Sequence, residues 1–173
     1  MNARQPEEPS LGSLSFRQPE RRDGAVLHDL IAASPPLDLN SRYAYLLVCE
    51  HFAETSVIAE QNGVMVGAVT AYIPPTHPDT LFVWQVAVAE SMRGQKLASR
   101  MLEHLLVHSL RPLRLRWMEA TISPGNTASR QLFARFATCH DTGMTTTPLF
   151  AARDFGSSGH EEEHLYRIGP WTS

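Results

Sequence analysis

Apolar residues recur along this chain in two rhythms. Val26, Leu27, Leu30 and Ile31 fall at helical spacing within Asp23–Ala33, and Ser34-Pro35-Pro36 stops the run. A loop of residues 37–41 (LDLNS), with two possible caps, leads into a second helical run from Arg42 to Phe52. The rhythm then changes to strands at Ser56–Glu60 and Val64–Ile73, joined by Gln61-Asn62-Gly63, where Asn-Gly is a strong hairpin signal. Further strands are predicted at Phe82–Val88, Leu115–Ile122 and Glu163–Ile168. Between them lie a helix carrying Leu97, Met101, Leu102, Leu105 and Leu106, and another from Asn126 to Ala137. Residues 140–160, rich in Thr, Gly and Ser, read as a long loop. The polar, Pro-containing start, residues 1–14, reads as a flexible tail ahead of a single domain over residues 15–173. Helices interleaved with strands make the chain α/β.

Composition adds exclusions. A hydrophobic fraction of 43%, a charged fraction of 19% and a net charge of −3 fit a soluble globular protein and favour neither nucleic acid nor an anionic membrane as partner. No apolar run approaches the length of a membrane span, and no signal peptide opens the chain. The two cysteines, Cys49 and Cys139, lack metal-type spacing and read as free thiols in a reducing cytoplasm. His104 and His108 share a helix face without a carboxylate partner, so no metal site is expected.

The segment Phe82–Leu106 concentrates the chemistry. An apolar strand turns at Arg93-Gly94 into a helix, which leaves free N–H groups at the helix start where phosphate binds. Arg93 adds a planar cation suited to phosphate oxygens. This stretch resembles the pyrophosphate loop of the GCN5-related N-acetyltransferases, whose pattern of Arg or Gln, two residues, Gly, any residue, Gly or Ala falls here on Arg93, Lys96 and Ala98. The middle Gly is replaced by Lys96, which either crowds the pyrophosphate or lends it a cation. The element order matches that superfamily's fold, a central, mixed and mostly antiparallel sheet with helices on both sides.

Four segments narrow the resemblance: residues 37–52 (LDLNSRYAYLLVCEHF), 82–88 (FVWQVAV), 119–137 (EATISPGNTASRQLFARFA) and 159–168 (GHEEEHLYRI). They look like the L-2,4-diaminobutyrate acetyltransferases of ectoine biosynthesis, and the likeness covers roughly residues 16–168. It implies transfer of acetyl from acetyl-CoA to the γ-amino group of a free small diamine by an enzyme that forms homodimers.

Such a transfer needs a phosphate cradle, an aligned strand, donors for the oxyanion and a neutral amine. The resemblance places acetyl-CoA against Val86, Ala87 and Val88, the loop Arg93, Gly94, Gln95, Lys96, Leu97 and Ala98, and Asn126, Ser129 and Phe133 on the later helix. Backbone N–H groups near Val86 and Val88 are the expected oxyanion donors. Asn126 either contacts CoA or caps its helix. Many acetyltransferases carry a Tyr that protonates the departing thiolate, where this chain has Phe133. For the diamine the candidates are Asp38, Tyr43, Trp84, Gln85, His160 and Glu163, with Glu163 as proton acceptor and Asp38 as anchor. The competing readings are that Asp38 caps the helix that follows and that Glu161–Glu163 form a solvated charge run; the resemblance favours the functional ones. Strand alternation puts Trp84 and Val86 on one face, with Gln85 and Ala87 on the other. The alternatives are an acetyltransferase for an aminoglycoside, a polyamine or a peptide N-terminus, or a degenerate acyl-CoA-binding module.

Overall fold

A computed structural model describes residues 13–157 and 159–171. Of the tail expected over residues 1–14, residues 1–12 lie outside that range, and Leu14 already opens a strand. Seven strands form one sheet: β1 (Leu14–Arg17), β2 (Val57–Gln61), β3 (Val64–Tyr72), β4 (Thr80–Val88), β5 (Trp117–Ile122), β6 (Met144–Phe150) and β7 (Glu163–Ile168), in the order β1-β2-β3-β4-β5-β7-β6. The pairing is antiparallel throughout except between β4 and β5. The β2–β3 turn forms as the sequence demands, with Asn62 and Gly63 both at positive φ, 56° and 75°.

Helices α1 (Gly24–Ala32) and α2 (Arg42–His51) cover one face of the sheet. Helices α3 (Leu97–Leu105), which runs on into a π-helical turn at Leu106–Leu110, and α4 (Thr127–Cys139) cover the other. Strand alternation sorts the core accordingly. In β2, Val57 and Ala59 join Met101, Leu102, Phe133 and Phe136 of α3 and α4, while Ile58 between them joins Leu27, Ile31, Tyr45 and Val48 of α1 and α2. At about 25 cal/mol per Å² of apolar surface, both clusters contribute heavily to stability.

Two strands differ from expectation. β1 is four residues long, too short to show alternation, and β6 lies where a loop was expected. β6 is the sheet edge and is exposed along nearly its whole length, so its Thr-rich sequence carries no buried face to read. Pro148 sits there at an irregularity in the register, where an edge strand tolerates a residue without an N–H.

Candidate active site

Two structural departures in β4 create the site. The first is a separation. The parallel ladder to β5 runs only from Thr80/Trp117 to Phe82/Glu119, whereas β5 goes on pairing with β7 as far as Ile122. Residues 83–88 therefore leave one main-chain edge facing a groove. Ala89 N–H donates to Val66 O, which makes Gly67/Val88 a non-hydrogen-bonded pair of the β3–β4 ladder. It follows that Val88, and Val86 two residues back, turn their N–H and C=O away from β3 and into the groove. The Arg93 Nε–H···O=C contact to Val88, 3.4 Å long, lies on that same side.

The second departure is a bulge. Thr70 opposes Gln85 but Ala71 opposes Val83, which leaves Trp84 without a Cα partner in that ladder. Before the bulge Leu81 and Val83 face α3 and α4; after it Val86 and Val88 do. The simple alternation expected from sequence is thus corrected. Trp84 lines an apolar recess with Val48 of α2 and Phe52 just after it, and Gln85 Nε2 donates to Asp38 O (2.7 Å) in the α1–α2 loop, so both turn toward α1 and α2.

Opposite β4, the groove of about 340 Å³ is walled by Pro36 and Leu37 and by Asn126, Ala128, Ser129 and Leu132 at the start of α4. It continues past Val88 and Arg93 into a second recess of about 340 Å³ lined by Gly94, Lys96, Leu97, Ala98, Gln131 and Arg135. Arg100 N–H donates to Lys96 O, so the N–H groups of Leu97, Ala98 and Ser99 precede the helical ladder and give the start of α3 a geometry suited to an anion. Gly94 (φ 76°) and Lys96 (φ 60°) both adopt the left-handed conformation that curls the loop around this point. Lys96 therefore takes the backbone shape a Gly would take, at a cost of about 1 kcal/mol. Gln95 turns away, its side chain donating to Ser91 O (2.9 Å).

Two further expected cofactor contacts are placed differently. Ala87 is buried in the α1/α2 core, on the sheet face away from the groove. Phe133, 2% exposed, packs in the α3/α4 core, because the helical turn brings Leu132 rather than Phe133 to the groove wall. Asn126 is a helix cap, its Oδ1 accepting from Ser129 N–H (3.0 Å), while still lining the groove.

The groove opens through Pro36, Leu37 and Asn126 into a polar compartment of about 320 Å³. Asp38, Trp84, Gln85, His160 and Glu163 line it together, although they come from the α1–α2 loop, β4 and the approach to β7. His160 Nε2 meets Asp38 Oδ2 at 2.9 Å, and its Nδ1 meets Glu161 O at 2.6 Å. Donating to both oxygens requires the imidazolium, so the Glu161 carbonyl and the Asp38 carboxylate raise the His160 pKa. Burial raises the pKa of Glu163, and the nearby Asp38 and Glu161 carboxylates add to it against the opposing His160 and His164. Among the described residues, Glu163 Oε2 and Gln85 Oε1 are buried without a hydrogen-bond donor. They suit a cationic, donor-rich ligand. Tyr43 is excluded from the site: on α2 it is 68% exposed and does not line the compartment.

Sequence reading missed the aromatic walls. Tyr72 and Phe82, paired across β3 and β4 with ring centroids 5.2 Å apart, line the compartment, as do Phe150 and Phe155. Phe155 stacks on His160 at 4.0 Å. Two Phe within an otherwise Thr-, Gly- and Ser-rich stretch were the available signal. Among the described residues, no cluster of His, Cys, Asp and Glu is arranged to hold a metal ion.

The model of the Acetyltransferase (GNAT) family matches residues 25–137. The chain is 48% identical over 158 residues to an L-2,4-diaminobutyric acid acetyltransferase from Bordetella parapertussis, covering 91% of this chain and 84% of the relative. A protein of the same name from Marinococcus halophilus is 47% identical, with 94% of each chain covered. The chain belongs to the GNAT acetyltransferases, in their L-2,4-diaminobutyric acid acetyltransferase family. Among solved structures, the diaminobutyrate acetyltransferase EctA from Paenibacillus lautus, in complex with L-2,4-diaminobutyric acid and coenzyme A, superposes with a TM-score of 0.89 at 41% identity, covering 94% of this chain and 98% of that one. The free N–H groups of α3, Arg93 and the main-chain edge of Val86 and Val88 suit an anionic, amide-rich ligand.

Proposed function

We propose that the protein transfers the acetyl group of acetyl-CoA to the γ-amino group of L-2,4-diaminobutyrate, giving N4-acetyl-L-2,4-diaminobutyrate for ectoine synthesis. The observation that carries this reading is the meeting of two compartments at Asn126: a main-chain groove suited to coenzyme A, and an acidic recess suited to a small diamine.

Arg93 and the start of α3 hold the pyrophosphate. Val86 and Val88 align the pantetheine arm, and their N–H groups receive the negative charge that builds on the thioester carbonyl oxygen. Asp38, steadied by His160, anchors the α-ammonium, and Trp84 shapes the wall that aims the γ-nitrogen. A carboxylate close to an ammonium ordinarily holds the proton on the amine, which opposes attack. Glu163 overcomes this because burial raises its own proton affinity, so it accepts the γ-ammonium proton more readily than an exposed glutamate would. With Phe133 in the core, thiol departure proceeds as the thiolate, whose pKa of about 8.5 makes it an adequate leaving group.

The reading includes a homodimer, supported by exposed Leu149 and Phe150 on the edge strand β6. It includes a cytoplasmic location, supported by free Cys49 and Cys139 and by use of acetyl-CoA. Sedimentation velocity and cell fractionation test these two points. The activity is tested by thiol release with diaminobutyrate, putrescine and an aminoglycoside, followed by NMR of the product. Clean γ-acetylation of diaminobutyrate is expected; equal or faster turnover of either other amine overturns the substrate assignment.

A further inference from the structure

We propose that Glu161 is a positioning residue for acetyl transfer: its carboxylate clasps the β5–α4 loop and thereby sets the seam between the amine compartment and the acyl groove. The inference rests on the acetyl-transfer reading above. Gly125 N–H donates to Glu161 Oε2 at 3.0 Å across 36 residues of sequence. Gly125 immediately precedes Asn126, which caps α4 and lines both compartments. Next to Glu161, His160 reaches Asp38 in the α1–α2 loop. Two consecutive residues thus link the Asp38 wall, the Asn126 wall and the segment leading to Glu163.

Glu161 does not itself line the amine compartment, which separates it from the residues that meet the substrate. Its carboxylate sits so near Gly125 that a Cβ there would lie 2.9 Å from Oε2 and 3.0 Å from Oε1. Gly125 is outside the left-handed region, so its backbone accepts alanine. Since the obstructed atoms are the free end of a side chain, Gly125→Ala would displace the carboxylate rather than the loop. The glycine and the glutamate form one contact that can be broken from either side.

This gives a sharp test. Glu161→Ala is expected to lower kcat/KM for diaminobutyrate roughly tenfold, the effect of losing a charge-assisted hydrogen bond. Glu161→Gln keeps an acceptor oxygen and is expected to stay within about twofold of wild type. Gly125→Ala should match Glu161→Ala, and the double variant should be no worse than either single one. Amide exchange at residue 125, followed by NMR, should quicken in Glu161→Ala but not in Glu161→Gln. Equal losses in Glu161→Ala and Glu161→Gln would mean that Glu161 acts through its charge and would overturn the clasp. So would wild-type kinetics in all variants, or additive losses in the double variant. An inactive wild type towards diaminobutyrate would reject the substrate reading, and exchange at Gly125 would still decide the clasp.

Discussion

The acyl groove and the amine compartment meet at Asn126 but are built by opposite means. The groove is mostly main chain: the open edge of β4 at Val86 and Val88, the unpaired N–H groups opening α3, and a loop curled by Gly94 and Lys96. The amine compartment is mostly side chains, with Asp38, Trp84, His160 and Glu163 brought together from three distant segments. Main-chain function is indifferent to side-chain identity as long as the backbone keeps its shape. The groove can therefore carry Lys96 at a position where its superfamily has Gly. The amine compartment has no such latitude, because each wall depends on a specific functional group and on the contacts that hold it, such as His160 to Asp38.

The strongest challenge to this contrast is Glu163→Gln, which keeps the shape of the amine compartment and removes the proposed proton acceptor. A loss in kcat of about 10²-fold or more is expected, with acetyl-CoA KM nearly unchanged. The same variant should gain stability wherever the pH exceeds the raised pKa of Glu163. Because the folded-state pKa of Glu163 is raised, its contribution to stability is fully present below the ordinary Glu value and is lost as pH rises through the raised one. The Tm advantage of Glu163→Gln should thus appear as pH rises from the ordinary Glu value through the raised one, level off above it and vanish below the ordinary value, as thermal melts across pH would show.

Next in size is Arg93→Ala, the side chain on which the groove depends most. Losing its contact of about 1.5–3 kcal/mol should raise acetyl-CoA KM more than tenfold and leave diaminobutyrate KM almost unaltered. An unchanged acetyl-CoA KM would place the pyrophosphate elsewhere. Asp38→Ala should do the reverse, raising diaminobutyrate KM by roughly tenfold and releasing some α-acetylated product, detectable by NMR. If both KM values rise together in either variant, the compartments are not separable in the way described. The smallest effect is expected from Lys96→Gly. Relief of the left-handed Lys should stabilise the fold by about 1 kcal/mol, a Tm rise of roughly 2–4 °C, with activity retained. A loss of activity there would show that the ammonium of Lys96 has a binding role of its own.

The same contrast divides what was legible in advance. Both core helices α3 and α4 declare themselves by apolar spacing, and the Asn62-Gly63 turn by its chemistry, because these depend on neighbours in sequence. So does the proposed phosphate cradle: strand, Gly94 and helix start are contiguous, and Arg93 lies among them. Strands β1 and β6 were illegible because one is too short and the other too exposed for alternation to record a buried face. Phe133 and Tyr43 were misplaced because a motif position does not state which way a helix is rotated against its sheet; packing decided that, turning Phe133 into the core and Tyr43 to solvent.

By itself, then, the sequence determined most of the elements and the turn into a helix start at Arg93–Ala98, since local periodicity and consecutive N–H groups need no partner from afar. Tertiary structure alone decided where β4 parts from β5, how the bulge at Trp84 exchanges the faces of the strand, and that Asp38, His160 and Glu163 share one recess. Those outcomes arise from competition among long-range pairings, and the burial that raises the proton affinity of Glu163 exists only once the distant walls have closed around it.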